Sequence, residues 1–214
     1  MPILSILFQI FWGVLVVFLG FVLGYAFFIR PWHMRWGASD DEIRAPLPGD
    51  PFIPVGSKVS TRAITINASP IEIWPWLTQI GQERGGFYSY DWLENLFGAQ
   101  MQNADRLLPA EQHLKRGDRV SYIPDGPPIT YATVNMLEPG NTLVLGIGWT
   151  FCLKPLDNHH TRLVVRYPYL LGKGIGNAFF YYAIFEPAHF VMESGMMMGI
   201  KQRAEKAVRR HVVK

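Results

Sequence analysis

The sequence predicts an α+β protein in which an antiparallel sheet wraps around a long C-terminal helix, preceded by one N-terminal transmembrane helix. Three observations predict this class. An apolar run opens the chain, short β-branched and aromatic segments separated by turn residues fill its middle, and the C-terminal part holds few helix breakers.

The apolar run covers residues 3–29 and contains no charged side chain. A helix of roughly 20 apolar residues spans the hydrocarbon core of a bilayer, so this run is long enough. A cleaved signal peptide is the alternative, but it would need a basic leading segment, a shorter apolar core and a small-residue cleavage site. We therefore expect residues 1–30 to form a retained transmembrane anchor.

The flanks of the run predict its orientation. Arg30 and Arg35 follow it, whereas no Lys or Arg precedes it. Basic residues tend to stay on the cytoplasmic side of a membrane, so we expect a single-pass protein whose soluble domain is cytoplasmic. The single cysteine, Cys152, excludes an internal disulfide and is compatible with either side.

Glycines along the run suggest a self-association face. Gly13, Gly20 and Gly24 share one helix face, and the last two have the spacing that lets transmembrane helices approach closely. A homodimer through this face is one expectation. Glycines scattered through a lipid-facing span are the alternative, because glycine is common in membrane helices.

Residues 31–60 are predicted to be an extended juxtamembrane linker, and residues 61–214 a single domain. The linker prediction depends on a density of prolines that disfavours helix and strand: Pro46, Pro48, Pro51 and Pro54. The remaining chain has the length of one ordinary domain with its own core.

Within the domain, residues 61–67 are predicted to be a first strand. Ser69 and Pro70 are typical of a helix start, and a second short helix is predicted at 87–97. A mainly helical segment at 178–210 would either begin at Pro187 or be kinked there. Five further strands, joined by short connections and therefore antiparallel, are predicted at 119–123, 129–137, 142–147, 149–156 and 161–167.

Three stretches, 63–77, 81–94 and 186–193 with 199–201, together with this order of elements, resemble the helix-grip fold of the START-related (SRPBCC) superfamily. The superfamily includes polyketide cyclases and lipid-transfer domains, and the resemblance covers residues 61–208. It implies a cavity between the sheet and the long helix, which many members fill with an apolar ligand. It implies no particular catalytic residue, because the superfamily has no universal one.

The best candidates for chemistry are Glu186, His189 and Glu193, which share one face of the predicted C-terminal helix. They are candidates for recognising a polar ligand group, and two carboxylates beside an imidazole are also a candidate acid–base site. The alternative is structural pairing with Arg162 or Arg166, although solvent is the default for the strand face that carries both arginines. We predict no metal site and no cofactor.

Aromatic side chains are candidates for lining an apolar pocket, with ordinary core packing as the alternative. The set of candidate ligand-binding residues is Trp76, Tyr88, Trp92, Trp149, Arg166, Glu186, His189 and Glu193.

The sequence thus predicts a membrane-anchored module that binds a hydrophobic small molecule or lipid. A cyclase- or hydrolase-type enzyme using His189 with Glu186 or Glu193, and a membrane-tethered protein-interaction module, are the alternatives. Nucleic acid is not predicted as a partner, because the excess positive charge is concentrated beside the anchor and in the C-terminal tail.

Overall fold

The structure, a computed structural model, describes residues 2–96, 98–125 and 130–212. The predicted end of the second helix at 97 and the predicted start of a strand at 129 lie outside these residues.

The N-terminal apolar run is helical throughout. Helix α1 (Pro2–Gly24) continues through a π-helical turn (Tyr25–Ile29) into α2 (Arg30–Met34), and we call this continuous run the anchor helix. The segment Ile3–Met34 is long and apolar enough to cross a membrane, with a mean hydropathy of 2.6 and with none of its most apolar part buried by the rest of the chain.

The centre of the domain is an antiparallel sheet of six strands in the order β1-β6-β5-β4-β3-β2. The predicted meander is confirmed, and β1 pairs with β6, so the first strand of the domain lies next to its last. The strands are β1 (Lys58–Ile66), β2 (Arg119–Ser121), β3 (Tyr131–Glu138), β4 (Thr142–Leu145), β5 (Trp149–Pro155) and β6 (Thr161–Tyr169).

Short helices precede and connect the strands. Helix α3 (Asp40–Arg44) lies between the anchor helix and β1, and α4 (Pro70–Thr78) begins at the predicted Ser69 cap. Helix α5 (Asp91–Leu96) begins four residues later than the predicted start at 87, because the backbone of Tyr88 takes a positive φ of 60° that a helix cannot contain.

The C-terminal helix is longer than predicted. Helix α6 (Ile175–Phe180), a π-helical turn (Tyr181–Phe185) and α7 (Glu186–Val212) form one continuous run. The π-helical turn ends two residues before Pro187. The missing N–H of the proline interrupts the regular hydrogen-bond ladder, so Pro187 widens a long helix instead of starting it.

Helix α7 packs on one face of the sheet and forms the main core with it. Met197 and Ile200 of the helix are fully buried against strand residues such as Leu163 and Val165. Gly199 lets α7 approach the loop before α5, because a Cβ at this position would overlap the backbone oxygen of Tyr88. The observed architecture is therefore α+β, with the long helix across an antiparallel sheet.

The segment predicted to be an extended linker differs from that expectation. Residues 36–54, which we call the arm, cross the opposite face of the sheet, where Leu47 is 4% exposed and packs with Val164. Arg162 pairs with Glu42 at 2.7 Å and Arg166 with Asp50 at 2.8 Å. The prolines of the arm disfavour the regular backbone hydrogen bonding of helices and strands, but they do not prevent the arm from packing on the sheet. Arginines of β6 pair with its polar groups.

Candidate functional site

Glu193, on the face of α7 that packs against the sheet, is buried and holds a polar network together. Its carboxylate accepts hydrogen bonds from the Arg62 guanidinium and, at 2.9 Å, from the Trp149 indole Nε1. Arg62 is fully buried and also donates to the hydroxyl of Tyr169 at 3.0 Å and to the backbone oxygen of His33 at 2.8 Å. The charge on each partner is thereby neutralised inside the fold.

Glu186 connects the C-terminal helix to the anchor helix. It is fully buried, and its carboxylate lies 2.9 Å from Nε of Arg30 and 3.5 Å from Nε2 of His33. The predicted pairing of these glutamates with Arg162 or Arg166 is therefore wrong. Those arginines lie on the other face of the sheet, whereas Arg62 shares the inner face with Ile64 and Ile66.

His189 lies between the two glutamates but hydrogen-bonds neither. Its Nδ1 is 3.1 Å from the Tyr169 hydroxyl, and its ring centroid is 3.9 Å from that of Tyr167. Arg62 can only donate to the Tyr169 hydroxyl, and when that hydroxyl donates to Nδ1 the ring hydrogen of His189 lies on Nε2. Burial lowers the pKa of His189 to about 4, so the imidazole is neutral at pH 7.

Aromatic side chains surround His189 on the inner side of the sheet. Trp149 is central, with ring centroids 5.7–6.3 Å from four neighbours. We call the five residues the aromatic site: Phe87, Tyr122, Trp149, Tyr167 and His189.

Three members of the aromatic site are partly accessible even though other rings enclose them: Tyr122, Tyr167 and His189. Among the described residues, the Tyr122 hydroxyl, the Tyr167 hydroxyl and His189 Nε2 have no hydrogen-bond partner, and none of these atoms is fully buried. Burial raises the pKa of Tyr122 to about 12 and also raises that of Tyr167. These three side chains therefore combine partial accessibility with a surrounding of aromatic rings.

The groups of the aromatic site carry no net charge at neutral pH. Both tyrosines and the histidine are uncharged at pH 7, and the nearby Glu193 is compensated by Arg62. Such a lining suits an apolar molecule that carries an uncharged hydrogen-bonding group. Within the described part of the chain, no group of three or more His, Cys, Asp or Glu side chains is placed to hold a metal ion.

The structure brings together only part of the predicted ligand-binding set. Trp149, His189 and Glu193 converge at the aromatic site, whereas Glu186 is directed to the anchor helix. Tyr88 packs edge-on against Trp76 in the core and donates to its backbone oxygen at 3.0 Å. Trp92 is 70% exposed on α5. Arg166 pairs with Asp50 on the opposite face of the sheet, away from the aromatic site.

Sequence reasoning missed Arg62, Tyr122 and Tyr169. A usable signal exists for two of them: Arg62 is in phase with the apolar Ile64 and Ile66, and Tyr169 is in phase with Leu163 and Val165, so strand periodicity places both on the core side. Tyr122 follows the three-residue strand β2, which is too short for periodicity to assign a face.

A groove lies beside the C-terminal part of α7. Its volume is about 840 Å³, and its positive charge comes from residues that no prediction singled out as a site. The groove is lined by Trp76, Asp105, Arg106, Leu107, Gln202, Arg203, Lys206, Ala207, Arg209 and Arg210. It is separate from the aromatic site.

No family model matches the chain, and a search of curated proteins finds no significant match. Among solved structures, a conserved protein of unknown function from Enterococcus faecalis is similar to this chain at 15% sequence identity, with a TM-score of 0.34. That alignment covers 73% of this chain and 88% of the other. The function proposed below therefore rests on the residues and geometry of this chain.

Proposed function

We propose that this chain is a single-pass membrane protein whose cytoplasmic, helix-grip (START-like) domain binds a neutral hydrophobic small molecule or lipid in the aromatic site. The observation that carries the proposal is a set of three polar atoms that have no hydrogen-bond partner among the described residues and are surrounded by aromatic rings: the Tyr122 hydroxyl, the Tyr167 hydroxyl and His189 Nε2. Such a combination of apolar lining and a few convergent polar groups is typical of small-molecule sites.

The position of the aromatic site beside the anchor helix supports an apolar ligand. Phe190, next to His189 in the chain, packs on Trp32 of the anchor helix with ring centroids 5.3 Å apart. A ligand that partitions into the bilayer would reach the site after leaving the membrane surface, without crossing bulk water. The order of strands and helices, with α7 lying across the sheet, supports the helix-grip assignment.

A photoactivatable neutral lipid tests the proposal. The full chain is reconstituted in nanodiscs containing a diacylglycerol with a diazirine and an alkyne on one acyl chain, irradiated, and mapped by mass spectrometry. We expect adducts, located to single residues by fragmentation of the peptides, on the anchor helix and on Trp149, Tyr167 or His189.

A variant that fills the aromatic site distinguishes binding at that site from contact between lipid and the anchor helix. His189→Trp adds volume to the aromatic site and is expected to reduce adducts there several-fold while leaving adducts on the anchor helix unchanged. Leu156→Trp is the matched control, since Leu156 is an exposed residue beyond the end of β5. Adducts confined to the anchor helix, or site adducts equal in both variants, would contradict the proposal.

A further inference from the structure

A second apolar surface lies beside the anchor helix. The segment of residues 170–185 connects β6 to α7 and carries a single charge, Lys173. Six large apolar side chains in it are between 44% and 92% exposed. We call them the apolar ridge: Leu170, Leu171, Ile175, Phe179, Phe180 and Ile184. A domain surrounded by water seldom exposes so many neighbouring apolar residues.

Contacts between the anchor helix and the C-terminal helix show on which side of Arg30 the ridge lies. Arg30 is placed over the ring of Tyr182 at 5.1 Å and pairs with Glu186, while Trp32 packs on Phe190 at 5.3 Å. Later residues of the anchor helix thus meet later residues of the C-terminal helix, so the two helices run in the same direction. Residues before Tyr182 lie on the membrane side of Arg30.

The length of the segment sets how far it reaches. From Tyr182 back to Ile175 the chain is helical apart from its π-helical turn, and seven residues at 1.5 Å per residue span roughly 10 Å. The apolar run of the anchor is longer than the roughly 20 residues that a bilayer core needs, so its last turns can lie at the level of the lipid headgroups and upper acyl chains. The ridge extends alongside those turns.

We infer that the apolar ridge inserts into the same lipid leaflet that the anchor helix leaves, giving the domain a second attachment to the bilayer. The occupant is lipid because Arg30 joins this segment to the anchor helix, and the anchor helix exposes apolar side chains such as Phe27 and Phe28 on the same side of that contact. The one charged residue is a lysine, whose long side chain reaches lipid phosphates while its stem stays among apolar groups. The attachment holds the domain in one orientation on the membrane.

Site-specific fluorescence in vesicles tests this inference, which rests on the proposed membrane placement of the anchor. Cys152 is the only cysteine, so Cys152→Ala provides a background for single cysteines. Full-length Phe179→Cys, Leu156→Cys and Val17→Cys are each labelled with the polarity-sensitive dye NBD. They are reconstituted in phosphatidylcholine–phosphatidylglycerol vesicles with and without lipids that carry a nitroxide on the acyl chain.

We expect NBD at position 179 to emit at shorter wavelength than NBD at position 156 and to be quenched several-fold more by the nitroxide lipids. Ile175→Cys and Ile184→Cys extend the measurement, and quenching should be stronger at 175, the position farther along the helix toward the membrane. Leu156 is the control because it is an exposed leucine at the opposite end of β6.

Three other outcomes would contradict the ridge insertion, and one of them would also contradict the membrane placement of the anchor. Water-like emission at 179 with strong quenching at 17 removes the ridge insertion and leaves the anchor in place. Shifted emission at 179 without lipid quenching means that protein, such as a second copy of this chain, covers the ridge, and it also overturns the inference. An unquenched label at 17 contradicts both the membrane placement of the anchor and the insertion of the ridge.

Discussion

At the scale of single residues, the strongest constraint is the buried ion pair between Arg62 and Glu193. Neither side chain is more than 2% exposed, and the pair joins β1 to the C-terminal helix. Removing one partner of such a pair leaves an uncompensated charge in the interior, which typically costs about 3–5 kcal/mol. The pair thereby fixes which face of the helix meets the sheet.

The variant Arg62→Met is therefore expected to lower the free energy of unfolding by about 3–5 kcal/mol, measured by chemical unfolding of the full chain in detergent. Adding Glu193→Met is expected to restore much of the loss, because the unpaired charge is removed. Arg44→Met is the control, since Arg44 pairs with Asp41 at an exposed site and should change stability by less than about 1 kcal/mol. Equal losses in Arg62→Met and Arg44→Met would refute the assignment.

His189 gives the stability of the domain a specific dependence on pH. Its pKa is lowered to about 4 in the folded chain, first by burial and then by Arg62, whereas an ordinary histidine has a pKa near 6.5. Between these two values the unfolded chain binds a proton that the folded chain does not. The free energy of unfolding consequently falls as the pH falls through this window.

Replacing His189 by Asn should remove this contribution. Between pH 7 and pH 4.5, the parent is expected to lose on the order of 2 kcal/mol more stability than His189→Asn, measured by urea unfolding at each pH. Stability falls as the pH falls because the folded chain keeps the imidazole neutral, whereas the unfolded chain binds a proton there. A variant that loses as much stability as the parent over this range would show that His189 is not held neutral in the folded state.

At the scale of secondary-structure elements, the anchor helix presents its glycines without any covering group. A Cβ added at Gly13, Gly20 or Gly24 would meet no heavy atom of the described residues within 4 Å, so these residues leave the face open. The homodimer through this face stays a prediction. Its physical basis is that small residues allow two backbones to approach and gain van der Waals contact in lipid.

The double variant Gly20→Ile with Gly24→Ile is expected to weaken self-association of the full chain in vesicles, measured by energy transfer between labelled copies, because the branched side chains keep the backbones apart. The control is Phe18→Ile with Val22→Ile, which changes the opposite helix face and should leave association unchanged. Parent-like association of the glycine variant would dismiss this face as the interface.

The arm shows how tertiary contacts override local composition at the element scale. Its prolines correctly indicate an absence of long helices and strands, but the arm lies on the sheet as a separate layer. Gly37 permits the close approach, since it has a φ of +70° and a Cβ there would overlap the backbone oxygen of Ala63. The domain therefore begins directly after the anchor helix.

At the scale of the whole molecule, the anchor helix and the domain are joined by buried contacts instead of a flexible tether. Arg30 pairs with Glu186, and His33, which is 1% exposed, contacts Arg62 through its backbone oxygen. The domain consequently has a defined position relative to the anchor helix. The charge bias around the anchor predicts that this position is on the cytoplasmic side.

Orientation is measurable with a single accessible thiol. In the Cys152→Ala background, Leu156→Cys is expected to react with a membrane-impermeant maleimide in inside-out membrane vesicles. In right-side-out vesicles it should react only after detergent is added. The expectation follows from the positive flank at Arg30 and Arg35. The opposite pattern of labelling would place the domain on the other side of the membrane.

The sequence by itself determined the features that depend on local patterns. An uncharged run predicts the anchor helix, alternation and turn residues predict strands close to those observed, and Ser69 with Pro70 predicts the start of α4. Each of these signals comes from neighbours along the chain, whose periodicity or capping chemistry is independent of the rest of the fold.

Only the tertiary structure decided which distant residues meet. Glu193 pairs with Arg62 and not with Arg166, because the pairing of β1 with β6 places Arg62 on the inner face and leaves Arg166 outside with Asp50. The same pairing brings Tyr167 and Tyr169 under His189. Strand order and helix placement are set by burial summed over the whole core, and no local pattern encodes that sum.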